Sequence, residues 1–150
     1  MLINVDPLLS PEILSILRSM GHGDSFVLSD ANFPSYSHNS TLIRMDGLNI
    51  PQAAKAILSV FPLDSFITEP VLRMEIDGKP DEINEVHQDL INTVKHVSGN
   101  NWKVGSIERQ KFYVEAKKAF AVITTSDTRP YGCFIFTKGV LKPDGSVWIV

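Results

Sequence analysis

The sequence lacks most of the features that announce a function outright. It holds one cysteine, Cys133, among 150 residues, which excludes an intrachain disulfide framework and fits a reducing compartment. No apolar run approaches the ~20 residues needed to cross a bilayer, so no membrane partner is expected. The opening Met1-Leu2-Ile3-Asn4-Val5-Asp6-Pro7 has neither the basic nor the apolar region of a secretory signal. A net charge of -3 is spread without acidic or basic blocks, which leaves no electrostatic footprint for nucleic acid. Together these traits point to a cytoplasmic protein.

Metal and cofactor motifs are missing too. The four histidines, His22, His38, His87 and His96, include no pair three or four residues apart, the spacing that puts two ligands on one helix face. His87 and His96 are nine positions apart, about half a revolution round a helix axis, and so face opposite ways. Gly21-His22-Gly23 precedes a strand rather than following one, the wrong order for a phosphate loop. No Gly-x-Ser-x-Gly elbow occurs. We therefore expect no metal and no cofactor.

What is present is an ordinary globular balance, 43% hydrophobic and 21% charged, over a length that suits one domain, residues 1–150. Ser10-Pro11-Glu12 opens a first helix with a hydroxyl cap, a proline in the first turn and an acid at the positive dipole end. Ile13, Leu14, Ile16, Leu17 and Met20 give it one apolar face. Further helices are expected from Asn49-Ile50-Pro51, from Pro80-Asp81-Glu82 and over 109–118. Strands are expected over 25–29, 41–45, 71–76, 104–107, 120–125 and 133–137. The tail reads as a hairpin around Pro143-Asp144-Gly145. Helices alternating with short apolar strands argue for a layered α/β fold.

The stretch 20–34 concentrates the chemistry. His22 sits between two glycines where the first helix must stop, and a helix C-terminus favours its protonated form. Asp30 follows an unbroken apolar strand, and Pro34 prevents that strand from continuing. Neither side chain helps to build a core. The plain alternative is a surface histidine and a turn-capping aspartate; these two residues alone leave the choice open. Cys133, inside an apolar strand, reads as an inert thiol.

Several segments resemble one family. Gly21-His22-Gly23-Asp24 and Asp30-Ala31-Asn32-Phe33-Pro34 are similar to the start of the RbsD/FucU family, the D-ribose pyranases and L-fucose mutarotases. Ile43-Arg44-Met45-Asp46-Gly47-Leu48, Phe112-Tyr113 through Lys118-Ala119-Phe120-Ala121, and Tyr131-Gly132 through Lys138-Gly139-Val140 resemble the fucose mutarotase branch, in the expected order. The resemblance implies a three-layer α/β/α fold with a mixed sheet. It also implies a homodecameric ring whose sites are shared between neighbouring subunits.

For the site, the resemblance implies His22 as the principal acid/base and Asp30 as a group that orients it or binds a sugar hydroxyl. Arg109 matches the sugar-binding arginine of fucose mutarotases, where ribose pyranases carry a histidine. Tyr131 matches a sugar-contacting tyrosine and is the candidate for a second proton relay. The expected activity is cofactor-independent exchange of α and β anomers of a free monosaccharide, most simply L-fucose. The rivals are pyranose–furanose exchange of the D-ribose type and a non-catalytic monosaccharide-binding protein. One position departs from the family pattern: Tyr131-Gly132-Cys133 stands where Tyr-Gly-Asn or Tyr-Ala-Asn is expected. Losing the amide there costs on the order of 0.5–1.5 kcal/mol of sugar binding, or up to ~3 if a buried partner is stranded. Cys133 is thus a candidate substrate-binding residue that bears on which sugar fits. Residues 143–150 extend beyond what many relatives need, as an extra hairpin or a subunit contact.

Overall fold

A computed structural model describes residues 1–150. Its elements in chain order are α1 (Pro11–Ser19), β1 (Ser25–Ser29), α2 (Ser35–His38), β2 (Leu42–Met45), α3 (Ile50–Leu58), β3 (Val71–Met74), α4 (Glu85–Ser98), β4 (Val104–Ile107), α5 (Arg109–Lys118), β5 (Ala121–Thr125) and β6 (Phe134–Thr137). The helix starts follow from capping chemistry. Ser10 Oγ accepts from the Ile13 N–H at 3.2 Å, and Asn49 forms a full capping box with Gln52 ahead of α3.

Three local expectations change. The helix expected from Pro80 begins at Glu85, because Asn84 takes the cap with His87 as its box partner. The loop after Asp30 contains the single-turn helix α2, which is too short to show a periodicity. The first helix ends at Ser19 with Met20 already extended; the left-handed turn falls at Gly23, φ 84°.

The six strands form one sheet in the order β2-β5-β1-β6-β3-β4. Only β6 runs antiparallel, between β1 and β3, with Leu28 opposite Phe134 and Arg73 opposite Phe134 on the other side. Successive side chains alternate faces. Phe26, Leu28, Phe134 and Phe136 join α1, α3 and α4 in the larger core, and Val27 and Ile135 join Phe112 of α5 in the smaller one. Phe26 stacks on Phe136 and meets Phe61 edge-on, both at 5.0 Å between ring centres. The result is the three-layer α/β/α arrangement with a mixed sheet.

This topology gives the sheet two distinct edges. The C-terminal ends of the five parallel strands share one edge with the start of β6. The N-terminal ends share the other with the end of β6. In open α/β sheets ligands collect at the carboxyl edge, where the strand order reverses. The tail turns at 143–145, with one bridge between Leu141 and Val147. It docks on the opposite edge through Ser65, whose Oγ donates to the Trp148 carbonyl at 2.6 Å.

Candidate active site

At the carboxyl edge, between β1, β6 and β3, lies a cavity of about 240 Å3 lined by Asp30, Phe33, Met74, Arg109, Tyr113, Tyr131 and Cys133, among others. That is below the ~300–1,000 Å3 of pockets for drug-sized ligands and suits a small one. Asp30, 3% exposed, is fixed from four directions. Its Oδ1 accepts the N–H groups of Asn32 (2.9 Å) and Phe33 (3.0 Å), and its Oδ2 accepts the Gly132 N–H (3.0 Å) and the Cys133 thiol (3.6 Å). Burial pushes its pKa above the ordinary carboxylate value, against the pull of those donors. A carboxylate offers about four lone-pair sites. A ligand hydroxyl that binds Asp30 therefore replaces the weakest donor, the thiol. Burial and the adjacent carboxylate push the thiol's own pKa well up, so it stays S–H.

Arg109 opens α5 and Tyr113 stands one turn later on the same face. The guanidinium carbon lies 5.8 Å from the Tyr113 ring centre, and Arg109 Nε donates to Asp77 at 3.0 Å. Tyr113 leans on Phe33, so cation, phenol and apolar wall are held together. Tyr131 has a left-handed backbone, φ 60°, which costs a non-glycine residue roughly 1–2 kcal/mol. Gly132 follows without a side chain because a β-carbon there would press on Asp30 Cβ at 3.2 Å.

His22 is not in this cavity. It lies at the opposite edge, with the whole of β1 between it and Asp30, roughly 16 Å of strand at ~3.3 Å per residue. Its turn is held by Gly23 N–H donating to the Lys138 carbonyl at 2.9 Å and Gly21 N–H to Asp24 at 2.7 Å. Its partner is Asp64. His22 Nε2 donates to Asp64 Oδ1 at 3.1 Å, with the imidazole 46% exposed and the carboxylate 3%. Asp64 is held by the Phe66 N–H (3.0 Å) and by its own N–H on the Thr137 carbonyl (3.1 Å). Gly139 allows this approach, since a β-carbon there would collide with the Leu63 carbonyl. Because Nε2 carries the proton towards Asp64, Nδ1 is the nitrogen left to exchange protons with a ligand. The His22 ring also packs on Phe66, which meets Trp148 of the tail.

A model of the RbsD / FucU transport protein family matches residues 3–141. The chain belongs to this family. It is 43% identical over 145 residues to the fucose mutarotase of Bos taurus, covering 93% of this chain and 94% of that protein. It is 38% identical over 140 residues to the L-fucose mutarotase of Actinobacillus pleuropneumoniae serotype 5b (strain L20), covering 93% and 97%. Among solved structures it is similar to the fucose mutarotase from Streptococcus pneumoniae in complex with L-fucose. There the TM-score is 0.86 at 35% identity, over 94% of this chain and 100% of that one.

Within this RbsD/FucU chain, the structure brings Asp30, Arg109, Tyr131 and Cys133 to one cavity and sets His22 apart. Sequence reasoning missed Asp64, Met74 and Tyr113. Tyr113 had a signal, its place four residues after Arg109. Asp64 had none, being 42 residues from His22. No group of three or more His, Cys, Asp or Glu side chains is placed to hold a metal ion.

Proposed function

We propose that this chain is a cofactor-independent mutarotase interconverting the α and β anomers of a free monosaccharide, with L-fucose as substrate. The observation that carries this reading is the pairing of His22 with buried Asp64. It orients an exposed imidazole and leaves Nδ1 free, in a chain that also builds a small cavity with a carboxylate, a guanidinium and two phenols. Anomer exchange needs only such groups. A base takes the proton of the anomeric hydroxyl while an acid protonates the ring oxygen, and the ring C–O bond breaks to give the open aldehyde. Rotation about the neighbouring C–C bond and closure on the other carbonyl face reverse both transfers. Nothing is oxidised and no atom is lost.

In this scheme His22 Nδ1 exchanges one proton, and a phenol, Tyr131 or Tyr113, relays the other. Asp30 and Arg109 bind hydroxyls, and the Tyr131 ring covers the sugar's C–H face. His22 and the cavity lie on opposite sheet edges, so a complete site takes its His22–Asp64 half from one copy and its cavity from a neighbour. The matching assembly is a homo-oligomer, and family resemblance favours a decameric ring working in the cytoplasm. The test is exchange NMR on the anomeric protons of L-fucose, D-ribose and D-galactose, with wild type and His22→Ala. The expected result is faster exchange for L-fucose, abolished by His22→Ala. A sugar that binds while exchange stays at the buffer rate overturns the reading in favour of a binding protein.

A further inference from the structure

The left-handed turn at Tyr131 is braced by two side chains at the start of α4, the cap Asn84 and His87, that the chemistry above does not use. His87, 0% exposed, points Nε2 at the Tyr131 carbonyl at 2.9 Å. A carbonyl only accepts, so Nε2 carries the proton, and Nδ1 faces the Asn84 N–H at 3.5 Å. One turn earlier Asn84 Nδ2 donates to the Pro130 carbonyl at 2.9 Å, while its Oδ1 caps α4 by accepting the His87 N–H at 3.1 Å. Two consecutive carbonyls of the turn are thus gripped by α4. From the other side, Gly132 N–H is gripped by Asp30 Oδ2. Burial, opposed by the Tyr131 and Met74 carbonyls and aided by the positive charge of Arg73, lowers the His87 pKa to about 4. The ring is neutral at ordinary pH, with its single proton committed to Tyr131.

We propose that His87, seconded by Asn84, is a positioning residue for sugar binding: its Nε2–H on the Tyr131 carbonyl holds the left-handed turn that aims the Tyr131 side chain into the cavity and the Gly132 N–H at Asp30. This rests on the cavity being the sugar site. Without the donor, the peptide after Tyr131 relaxes towards ordinary φ. The phenol then leaves the cavity and Asp30 loses a backbone donor.

The test compares His87→Leu, which fills the space without a donor, with His87→Gln, whose amide N–H reaches to about the position of Nε2. Asn84→Asp is the third variant; it keeps the helix cap and sets a carboxylate oxygen, which only accepts, against the Pro130 carbonyl in place of the donor. KM and kcat for L-fucose are read by anomer-exchange NMR, and Gly132 amide exchange by hydrogen–deuterium measurement. His87→Leu is expected to raise KM about tenfold, the value of one lost hydrogen bond of ~1.4 kcal/mol. It should also speed Gly132 exchange while β1 and β5 amides stay protected. His87→Gln should recover most of both effects, and Asn84→Asp should also raise KM. Wild-type KM in His87→Leu with a protected Gly132 amide overturns the proposal. So does a His87→Gln variant no better than His87→Leu. If His87→Leu does not fold, wild-type KM in Asn84→Asp overturns it. If wild type exchanges no sugar, the sugar-site reading has failed, and positioning for sugar fails with it even where Gly132 is released.

Discussion

Asp30→Asn is the substitution whose outcome the geometry specifies most closely. The carboxylate receives four donors, two on each oxygen. An amide keeps one accepting oxygen, and its nitrogen must face two donors in either orientation. The less damaging orientation keeps Asn32 and Phe33 and strands the Gly132 N–H and the Cys133 thiol. Losing a hydrogen bond to a charged acceptor costs about 1.5–3 kcal/mol. Relief from burying a carboxylate returns part of this, since burial already raises the Asp30 pKa above 3.8. The net expectation is a loss of about 2 kcal/mol, or roughly 4–8 °C in Tm for a chain of this size.

The pH dependence gives a second handle on the same residue. A carboxyl whose folded pKa is raised binds its proton more readily in the native state. Its contribution is fully present below 3.8 and is lost as pH rises through the raised value. The deficit of Asp30→Asn relative to wild type therefore widens on acidification, opposite to an aspartate held by a salt bridge. Urea unfolding at pH 7 and at pH 4 measures both quantities. A variant within ~0.5 kcal/mol of wild type at pH 7, the usual scatter of a surface change, refutes the four-donor account. A deficit that narrows in acid refutes the raised pKa instead, because it means that the four donors outweigh burial.

Three further outcomes follow from the same structure. Asp64→Asn keeps an oxygen for the His22 and Phe66 N–H groups but removes the charge, so kcat for anomer exchange should fall about tenfold, ~1.4 kcal/mol, with KM unchanged; unchanged kcat would remove Asp64 from the mechanism. His87, lowered from 6.5 to about 4, is protonated in the unfolded chain before the native one. Stability should thus drop by about 3 kcal/mol between pH 6.5 and 4, and His87→Leu should flatten that slope in urea titrations. The Cys133 thiol, buried and held protonated, should react with a bulky disulfide reagent at pH 8 only as fast as the chain opens; immediate labelling of folded protein would contradict its placement.

Where structure is decided locally, the sequence was legible. Ser10 and Asn49 announced their helices because a cap needs only the next three residues. The strands through Phe26–Leu28 and Val122–Ile123 were visible as apolar runs. The start of α4 was misread because Pro80-Asp81-Glu82 satisfies the same local rules that Asn84 satisfies better. Its box partner is a histidine rather than the usual Glu or Gln, which hid the motif. The site was half legible. Asp30, Arg109, Tyr131 and Cys133, singled out by the resemblance for roles in the site, line one cavity. That His22 answers to Asp64 depends on β6 pinning residues 62–64 through Asp64 N–H on Thr137 and Gly139 N–H on Pro62. No local pattern encodes such a long-range pairing.

The five-residue length of β1 has a genetic corollary. In the assembly proposed above, with imidazole and cavity at opposite ends of that strand and supplied by different copies, a lesion at His22 and a lesion at Arg109 would damage different halves of different sites. Two silent alleles, co-expressed, should assemble some sites from the intact half of each. Activity would then return in the mixture although neither parent has any, and it would vanish on dilution of the assembly into separate chains.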